Sequence, residues 1–199
     1  MTKDNRTTDN NIAGIVLSGG AGMRMGGLDK GLQVYQGKAL IKHVIKALAP
    51  QTSTIVVCAN RNLKAYQELG FDVIEDQQAT FEGPLAGISS ALAFLINTQS
   101  KASHAVISSC DTPHLPDDLV MRLLENIGDH KVAAVHDGRR RQNLHCLIRR
   151  DAWQSMIDYF KAGKRTVWHC QNSLAVREVD FSDQAQSFAN LNRLEDFKV

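Results

Sequence analysis

The sequence predicts a three-layer α/β domain, with helices on both faces of a mostly parallel sheet and a small antiparallel excursion. Apolar, β-branched runs alternate with segments of helical spacing, which is the pattern of βαβ units. Late in the chain, Asp137 and Gly138 separate two strand patterns as in a hairpin. The 199 residues, of which 43% are hydrophobic and 22% charged, are sufficient to bury one sizeable core.

The predicted elements follow one another along the chain. Apolar runs bounded by turn residues predict strands over 12–18, 53–60, 71–76, 104–110, 131–136, 144–149 and 174–181. Apolar residues at helical spacing predict helices over 39–49, 62–69, 84–97, 117–127 and 151–163. In the first helix, Leu40 and Val44 share one face while Lys42 lies on another, as an amphipathic crossover helix requires.

The domain organisation is expected to be simple. We expect residues 1–11 to form a flexible N-terminal tail and residues 12–199 to form a single domain. The formal net charge is +2 without a basic stripe, so we expect no nucleic-acid partner. We also expect no membrane association and a cytoplasmic protein, because the sequence has neither a membrane-spanning apolar window nor the apolar core of a signal peptide.

The cysteines and histidines give no pattern of a metal or nucleophile site. The four cysteines lie far apart without a C-x-x-C pair, so we expect reduced, mostly buried thiols rather than a disulfide or a zinc site. Among the seven histidines, His145 falls at a strand position, where a surface or satisfied-core role is expected.

The stretch LSGGAGMRMGGLDKG, residues 17–31, directly follows the first predicted strand. In an open α/β sheet, ligands lie beyond the carboxyl ends of the strands. Gly19, Gly20 and Gly22 can let backbone N–H groups face a ligand at close range, as in a nest for phosphate oxygens. Arg24 and Lys30 add positive charge, so the loop is expected to bind an anion, most plausibly a polyphosphate.

Two familiar glycine motifs are excluded by counting. A dinucleotide fingerprint starting at Gly20 needs glycine where Met25 stands, and a P-loop starting at Gly22 needs lysine where Leu28 stands. Asp29 has two open interpretations: a hydrogen-bond acceptor that braces the loop, or a determinant of specificity.

Two further carboxylates follow predicted strands. Asp111 is suited to bind Mg²⁺ together with waters and phosphate oxygens, but it can also cap a turn before Pro113. Asp76 is ambiguous in the same way, with a turn role as an alternative to a ligand role.

The ordered motifs resemble a known family. The first stretch is similar to the signature L-x-G-G-x-x-x-R-M-G-x-x-K of nucleotidyltransferases with a GT-A-like Rossmann fold. R-M-G-G-x-D-K-G, V-I-E-D, G-P-L-A-G, C-D-T-P and a late F-x-N-x-N together resemble the molybdenum cofactor guanylyltransferases. The resemblance implies that GMP is transferred from GTP to the terminal phosphate of molybdopterin or Mo-molybdopterin, with release of pyrophosphate.

The resemblance also implies roles for individual residues. Backbone contacts to the nucleotide would come from Leu17, Ser18 and Gly19, while Gly20 and Gly22 would shape the loop. The other nucleotide-binding positions would be Lys30 at the phosphates, Asp76, Asp111, which also binds Mg²⁺, and the late asparagines Asn190 and Asn192. The catalytic residues would be Arg24, Lys30 and Asp111: Mg²⁺, the cofactor, held by Asp111, would neutralise the phosphate charge together with Arg24 and Lys30.

The sequence is less informative about the acceptor-binding residues and the partner proteins. Candidates for holding the anionic pterin are Arg139, Arg140, Arg141, Lys164 and Arg165, although a solvated charge run explains them equally well. We expect transient contacts with proteins that donate molybdopterin or mature molybdoenzymes. Two alternatives remain: a cytidylyl or sugar-phosphate transferase of the same superfamily, and a non-catalytic carrier of the cofactor.

Overall fold

The structure is a computed structural model that describes residues 11–18, 28–75, 82–192 and 194–197. Its strands are β1 Ile12–Leu17, β2 Val34–Tyr35, β3 Lys38–Ala39, β4 Thr54–Cys58, β5 Asp72–Ile74, β6 His104–Ser109, β7 Val132–His136, β8 Arg141–Arg149 and β9 Val176–Asp180. Its α-helices are α1 Leu40–Leu48, α2 Leu63–Gln67, α3 Pro84–Asn97, α4 Leu119–Ile127, α5 Trp153–Lys161 and α6 Val167–Ser173.

Seven strands form one sheet in the order β5-β4-β1-β6-β8-β7-β9. Strand β8 is antiparallel to both of its neighbours, and the other pairings in this sheet are parallel. The carboxyl ends of β1, β4, β5 and β6 therefore meet at one edge. Because β8 runs in the opposite direction, its first residues lie at that same edge.

Two apolar layers cover the sheet, one on each face. Neighbouring residues of β1 point to opposite faces, so Val16 packs in the layer of α1, α2 and α4, while Ile15 packs in the layer of α3, α5 and α6. Both side chains are fully buried. Burial on both faces explains why these strands are continuous apolar runs rather than alternating ones.

The predicted α/β architecture is confirmed, with the antiparallel excursion at β7 and β8. Helix α4 begins at Leu119 rather than at residue 117. The sequence interpretation missed α6 and the small hairpin of β2 and β3. All four cysteines are buried and free, as expected. Within the described ranges, no helix combines the length and apolarity needed to cross a membrane.

Candidate active site

The ends of three parallel strands form the floor of the site. The backbone N–H of Ser18 donates to the carbonyl of Cys58 at 2.8 Å, and that of Cys110 donates to the carbonyl of Leu17 at 2.9 Å. These bonds continue the ladders one residue beyond β1 and β6. The residues that follow the strands are therefore held in a fixed register at the edge of the sheet.

Lys30 and Asp111 form an ion pair above this floor. Lys30 Nζ lies 2.9 Å from Asp111 Oδ2 and donates a second hydrogen bond to Asn192 Oδ1 at 2.7 Å. The backbone N–H of Leu191 donates to the carbonyl of Asp111 at 2.9 Å, which fixes the late segment, residues 190–192, beside the end of β6. Three parts of the chain that are distant in sequence thus meet at one ammonium group.

Asp111 is held in its ionised form. Burial by itself would raise the pKa of this carboxyl, but the charge of Lys30 and a hydrogen bond from Ser109 outweigh that effect and bring the pKa below its ordinary value. Its other oxygen, Oδ1, lies 3.3 Å from Thr112 Oγ1, which is also 3.3 Å from Asn190 Oδ1.

The oxygen groups around Asp111 fit a hard divalent cation. A carboxylate and carboxamide oxygens are suitable ligands for Mg²⁺, which needs only one or two carboxylates when phosphates and waters complete its shell. The ammonium of Lys30 bridges Asp111 and Asn192, so these oxygens already accommodate a positive charge. Among the residues that the structure describes, no three His, Cys, Asp or Glu side chains form a metal-ligand cluster.

A first cavity of about 270 Å³ opens beside the ion pair. Its walls come from the ends of β1, β4 and β6, from the start of α3 and from β8, and are formed by Leu17, Ser18, Lys30, Cys58, Gly83, Pro84, Gly87, Ser109, Cys110, Asp111 and Leu144. Gly83 has φ of +83° and Pro84 begins α3, so this turn combines a conformation that glycine tolerates with a good first helical residue.

A second cavity of about 240 Å³ adjoins the first. The two share Ser109, Asp111 and Leu144. The remaining walls of the second cavity come from the start of β8 and the late segment, and are formed by Arg140, Arg141, Gln142, Asn143, His145 and Asn190. Asp111 therefore stands at the boundary between two spaces.

The structure brings together most of the described residues that the sequence nominated. Leu17, Ser18, Lys30 and Asp111 line the first cavity, Asn190 lines the second, and Asn192 contacts Lys30. Five nominated residues lie outside the described residues: Gly19, Gly20, Gly22, Arg24 and Asp76.

Several wall residues were missed. The motif G-P-L-A-G contains Gly83, Pro84 and Gly87, and its position after β5 was the signal that could have placed them at the carboxyl edge. Cys58 and Leu144 gave no such signal, because each is an apolar residue inside a strand pattern.

The basic residues nominated for the acceptor separate into different environments. Arg140 is exposed and lines the second cavity. Arg141 also borders it, but its side chain is only 7% exposed and pairs with Glu178 at 3.2 Å. Arg165 lines another groove, between α3 and α5, and pairs with Glu82 at 3.1 Å. Lys164 lies over the ring of Tyr159.

The sequence and the fold are similar to those of known proteins. The model of the MobA-like NTP transferase domain matches residues 14–175. A molybdenum cofactor guanylyltransferase from Shewanella piezotolerans is 38% identical over 185 residues, covering 91% of this chain and 87% of that protein.

Solved structures share the fold at lower identity. Molybdopterin-guanine dinucleotide biosynthesis protein A from Archaeoglobus fulgidus has a TM-score of 0.73 at 21% identity, with 94% of this chain and 95% of that chain covered. A Mycobacterium tuberculosis protein, solved in complex with manganese, has a TM-score of 0.63 at 16% identity, with 86% and 88% covered.

Proposed function

Since the chain belongs to the MobA-like NTP transferase family and is a nucleotidyltransferase, we propose that it transfers GMP from GTP to the terminal phosphate of molybdopterin. The products would be molybdopterin guanine dinucleotide and pyrophosphate. The choice of guanine and of the pterin acceptor is supported by the relative from Shewanella piezotolerans, a molybdenum cofactor guanylyltransferase.

The observation that carries the proposal is the pair of cavities that share Asp111. A group transfer between two substrates needs two adjoining sites with the reacting phosphates at their boundary. The first cavity is lined by Ser18 and Lys30, which lie near the two ends of the glycine-rich stretch. This cavity would hold the nucleotide. The second cavity would hold the acceptor, with its phosphate directed towards Asp111.

The reaction forms one bond and breaks one. An oxygen of the acceptor phosphate forms a bond to the α-phosphorus of GTP, while the bond from that phosphorus to the oxygen bridging the β-phosphorus breaks. The electron pair of the broken bond leaves with pyrophosphate. Because the acceptor phosphate is already ionised at neutral pH, the chain needs neither a nucleophilic side chain nor a strong general base.

The side chains of this chain would position and neutralise the phosphates. Lys30 can turn from Asp111 and Asn192 to donate to phosphate oxygens, and the sequence nominates Arg24 for the same task. Asp111, with the carboxamide oxygens of Asn190 and Asn192, would hold Mg²⁺. When bound, the cation supplies positive charge to the triphosphate and the leaving pyrophosphate.

The test compares nucleotides and variants in one assay. With molybdopterin and Mg²⁺, we expect the wild type to form the guanine dinucleotide from GTP and much less product from CTP. Lys30→Ala and Asp111→Ala should each lower kcat/KM by about 100-fold or more, because the first removes a positive charge that acts on the phosphates and the second removes the carboxylate that holds Mg²⁺. Matched controls are Lys42→Ala and Asp129→Ala, which remove exposed charges elsewhere and should leave turnover unchanged.

Each alternative has its own outcome in that assay. Equal use of CTP, or a preference for it, would overturn the guanylyl assignment. Transfer to a sugar phosphate instead of molybdopterin would overturn the acceptor assignment. Near-normal behaviour of both Lys30→Ala and Asp111→Ala would favour a carrier of the cofactor.

A further inference from the structure

The hydroxyl of Tyr66 joins two residues near opposite ends of the glycine-rich stretch, residues 17–31. Tyr66 lies in α2 and its side chain is fully buried. Its Oη is 2.7 Å from Oγ of Ser18, which follows β1, and 2.5 Å from Oδ1 of Asp29, which precedes Lys30. One buried hydroxyl therefore connects the points where the chain leaves β1 and where it returns to the site.

The direction of these hydrogen bonds follows from the groups involved. The Asp29 carboxylate accepts, so the single proton of Tyr66 is donated to it and the hydroxyl of Ser18 donates to Tyr66. Burial, and then the hydrogen bond to Asp29, raise the pKa of Tyr66 well above its ordinary value. The phenol therefore keeps its proton, and remains a hydrogen-bond donor, at neutral pH.

Further contacts hold Asp29 from the other sides. Asn62 Nδ2 donates to its second carboxylate oxygen at 3.0 Å, and Gln33 Nε2 donates to its carbonyl at 3.0 Å. The Asp29 carboxylate is therefore a bracing acceptor in the structure, which is one of the two roles that the sequence left open.

The backbone at Gly31 lies so close to this hydrogen-bond network that no side chain fits there. A Cβ at that position would lie 2.0 Å from Ser18 Oγ and 2.5 Å from Tyr66 Oη. Asp29 belongs to the network and Gly31 packs against it, and Lys30 lies between these two residues. The network therefore fixes the backbone from which the Lys30 side chain reaches Asp111.

We propose that Tyr66 is a positioning residue for phosphate binding, whose hydroxyl fixes both ends of the glycine-rich stretch and the backbone of Lys30. This inference rests on the proposed nucleotidyl transfer. A site whose backbone is ordered before the ligand arrives loses less conformational entropy on binding. Without the hydroxyl, that ordering has to occur when the triphosphate binds, so its affinity falls.

Tyr66→Phe removes only the hydroxyl and keeps the ring in the core. Binding would be measured by calorimetry with Mg²⁺ and three probes: GTP, GMP and inorganic tripolyphosphate. We expect the affinities for GTP and tripolyphosphate to fall about tenfold, which corresponds to the loss of one hydrogen bond to a charged group. GMP, which lacks the β- and γ-phosphates, should lose less than about threefold.

The matched control is Tyr35→Phe. Tyr35 is also buried, and its hydroxyl lies 3.0 Å from His114 Nε2. Tyr35→Phe should leave the affinities for GTP, GMP and tripolyphosphate unchanged. Asp29→Ala tests the same link from outside the core, because Asp29 is only partly buried, and it should reproduce the selective loss for the triphosphates even if Tyr66→Phe folds poorly.

A double-mutant cycle with Lys30→Ala separates positioning from general destabilisation. If Tyr66 acts through the Lys30 backbone, Tyr66→Phe should change tripolyphosphate affinity by less than about twofold in the Lys30→Ala background. Equal losses for GMP and GTP, or a full tenfold loss in that background, would overturn the proposal. Since tripolyphosphate carries no base, a preference for CTP would refute the guanylyl assignment and leave this test intact.

Discussion

His145 is a buried histidine next to the charged part of the site. It is 2% exposed, and its Nε2 lies 3.0 Å from Thr112 Oγ1. Its Nδ1 is buried without a hydrogen-bond partner among the described residues, so the satisfied-core role expected from the sequence is only half met. Burial lowers the pKa of His145 to about 4, against the opposing effect of Asp111. The ring is therefore neutral at pH 7.

This burial should make the stability depend on pH. The unfolded chain protonates His145 near its ordinary pKa of 6.5, whereas the folded protein protonates it only near 4. The stabilisation is therefore complete above pH 6.5 and is lost as the pH falls towards 4. We expect this residue to remove up to about 3 kcal/mol of unfolding free energy over that interval.

The measurement is urea unfolding between pH 8 and 4.5 of the wild type and His145→Leu. His104, whose pKa is also lowered by burial, is unchanged in both proteins, so the difference between their pH slopes isolates His145. Parallel slopes would contradict the prediction. The slope rather than the absolute stability is compared, because the substitution also removes the contact with Thr112.

Single residues were predictable where charge and strand position coincide. Lys30 lies near the end of the glycine-rich stretch and Asp111 follows a buried strand, so both could be placed at the carboxyl edge from the sequence. Tyr66 could not, because a tyrosine on the apolar face of an amphipathic helical segment indicates core packing. The partners of its hydroxyl, Ser18 and Asp29, are 48 and 37 residues away, a distance that local patterns do not bridge.

At the scale of elements, short length explains why the sequence analysis missed the small hairpin. The long strands and α3 have enough apolar residues for a clear pattern. The β2 and β3 strands contain two residues each, too few to show alternation. Their turn has positive φ at both Gln36 (45°) and Gly37 (77°), and only the glycine is a typical signal for that conformation.

The turn between β7 and β8 distinguishes two neighbouring arginines. Asp137 Oδ1 accepts backbone N–H bonds from Arg139 and Arg140, each at 2.8 Å, which holds the turn in one shape. Arg140 then extends towards the second cavity, whereas Arg141 contacts Glu178 and donates to Asn172 at 2.8 Å. One side chain is available to a ligand, and the other connects β8 with β9 and α6.

We therefore expect opposite effects from two alanine substitutions in this turn. Arg140→Ala should raise the KM for molybdopterin about tenfold, the loss of one charged hydrogen bond, with little change in unfolding free energy. Arg141→Ala should lower the unfolding free energy by about 2 kcal/mol, because it removes the packing of a mostly buried guanidinium and its contacts with the half-exposed Glu178 and with Asn172. Steady-state kinetics and urea unfolding of both variants give the comparison.

The kinetics of Arg140→Ala test whether Arg140 belongs to the acceptor site. An unchanged KM for molybdopterin would exclude Arg140 from the acceptor site and favour a solvated charge. A raised KM for GTP instead would place the arginine on the nucleotide side. Arg139→Ala is the matched control, since Arg139 is exposed in the same turn and is not among the walls of the second cavity.

At the scale of the whole molecule, the site is assembled from distant parts of one chain. Its walls include the ends of β1, β4 and β6, the start of α3 and the start of β8, and Asn192 joins through Lys30. The two helical layers and the edge of the sheet that carries the site could be predicted, because both follow from the order of strands and helices along the sequence. The meeting of Lys30 with Asn192, 162 residues apart, required the folded chain.

Because the site includes residues from both ends of the domain, nucleotide binding should stabilise the whole fold. At a GTP concentration 100 times its Kd, with Mg²⁺, linkage adds about 2.7 kcal/mol to the unfolding free energy. For a chain of 199 residues, this corresponds to a rise in Tm of roughly 5 to 10 °C. Lys30→Ala at that same GTP concentration should show a smaller rise, and CTP should give less than GTP in the wild type. Differential scanning calorimetry measures both, and a Tm unaffected by GTP would contradict the assignment of the first cavity to the nucleotide.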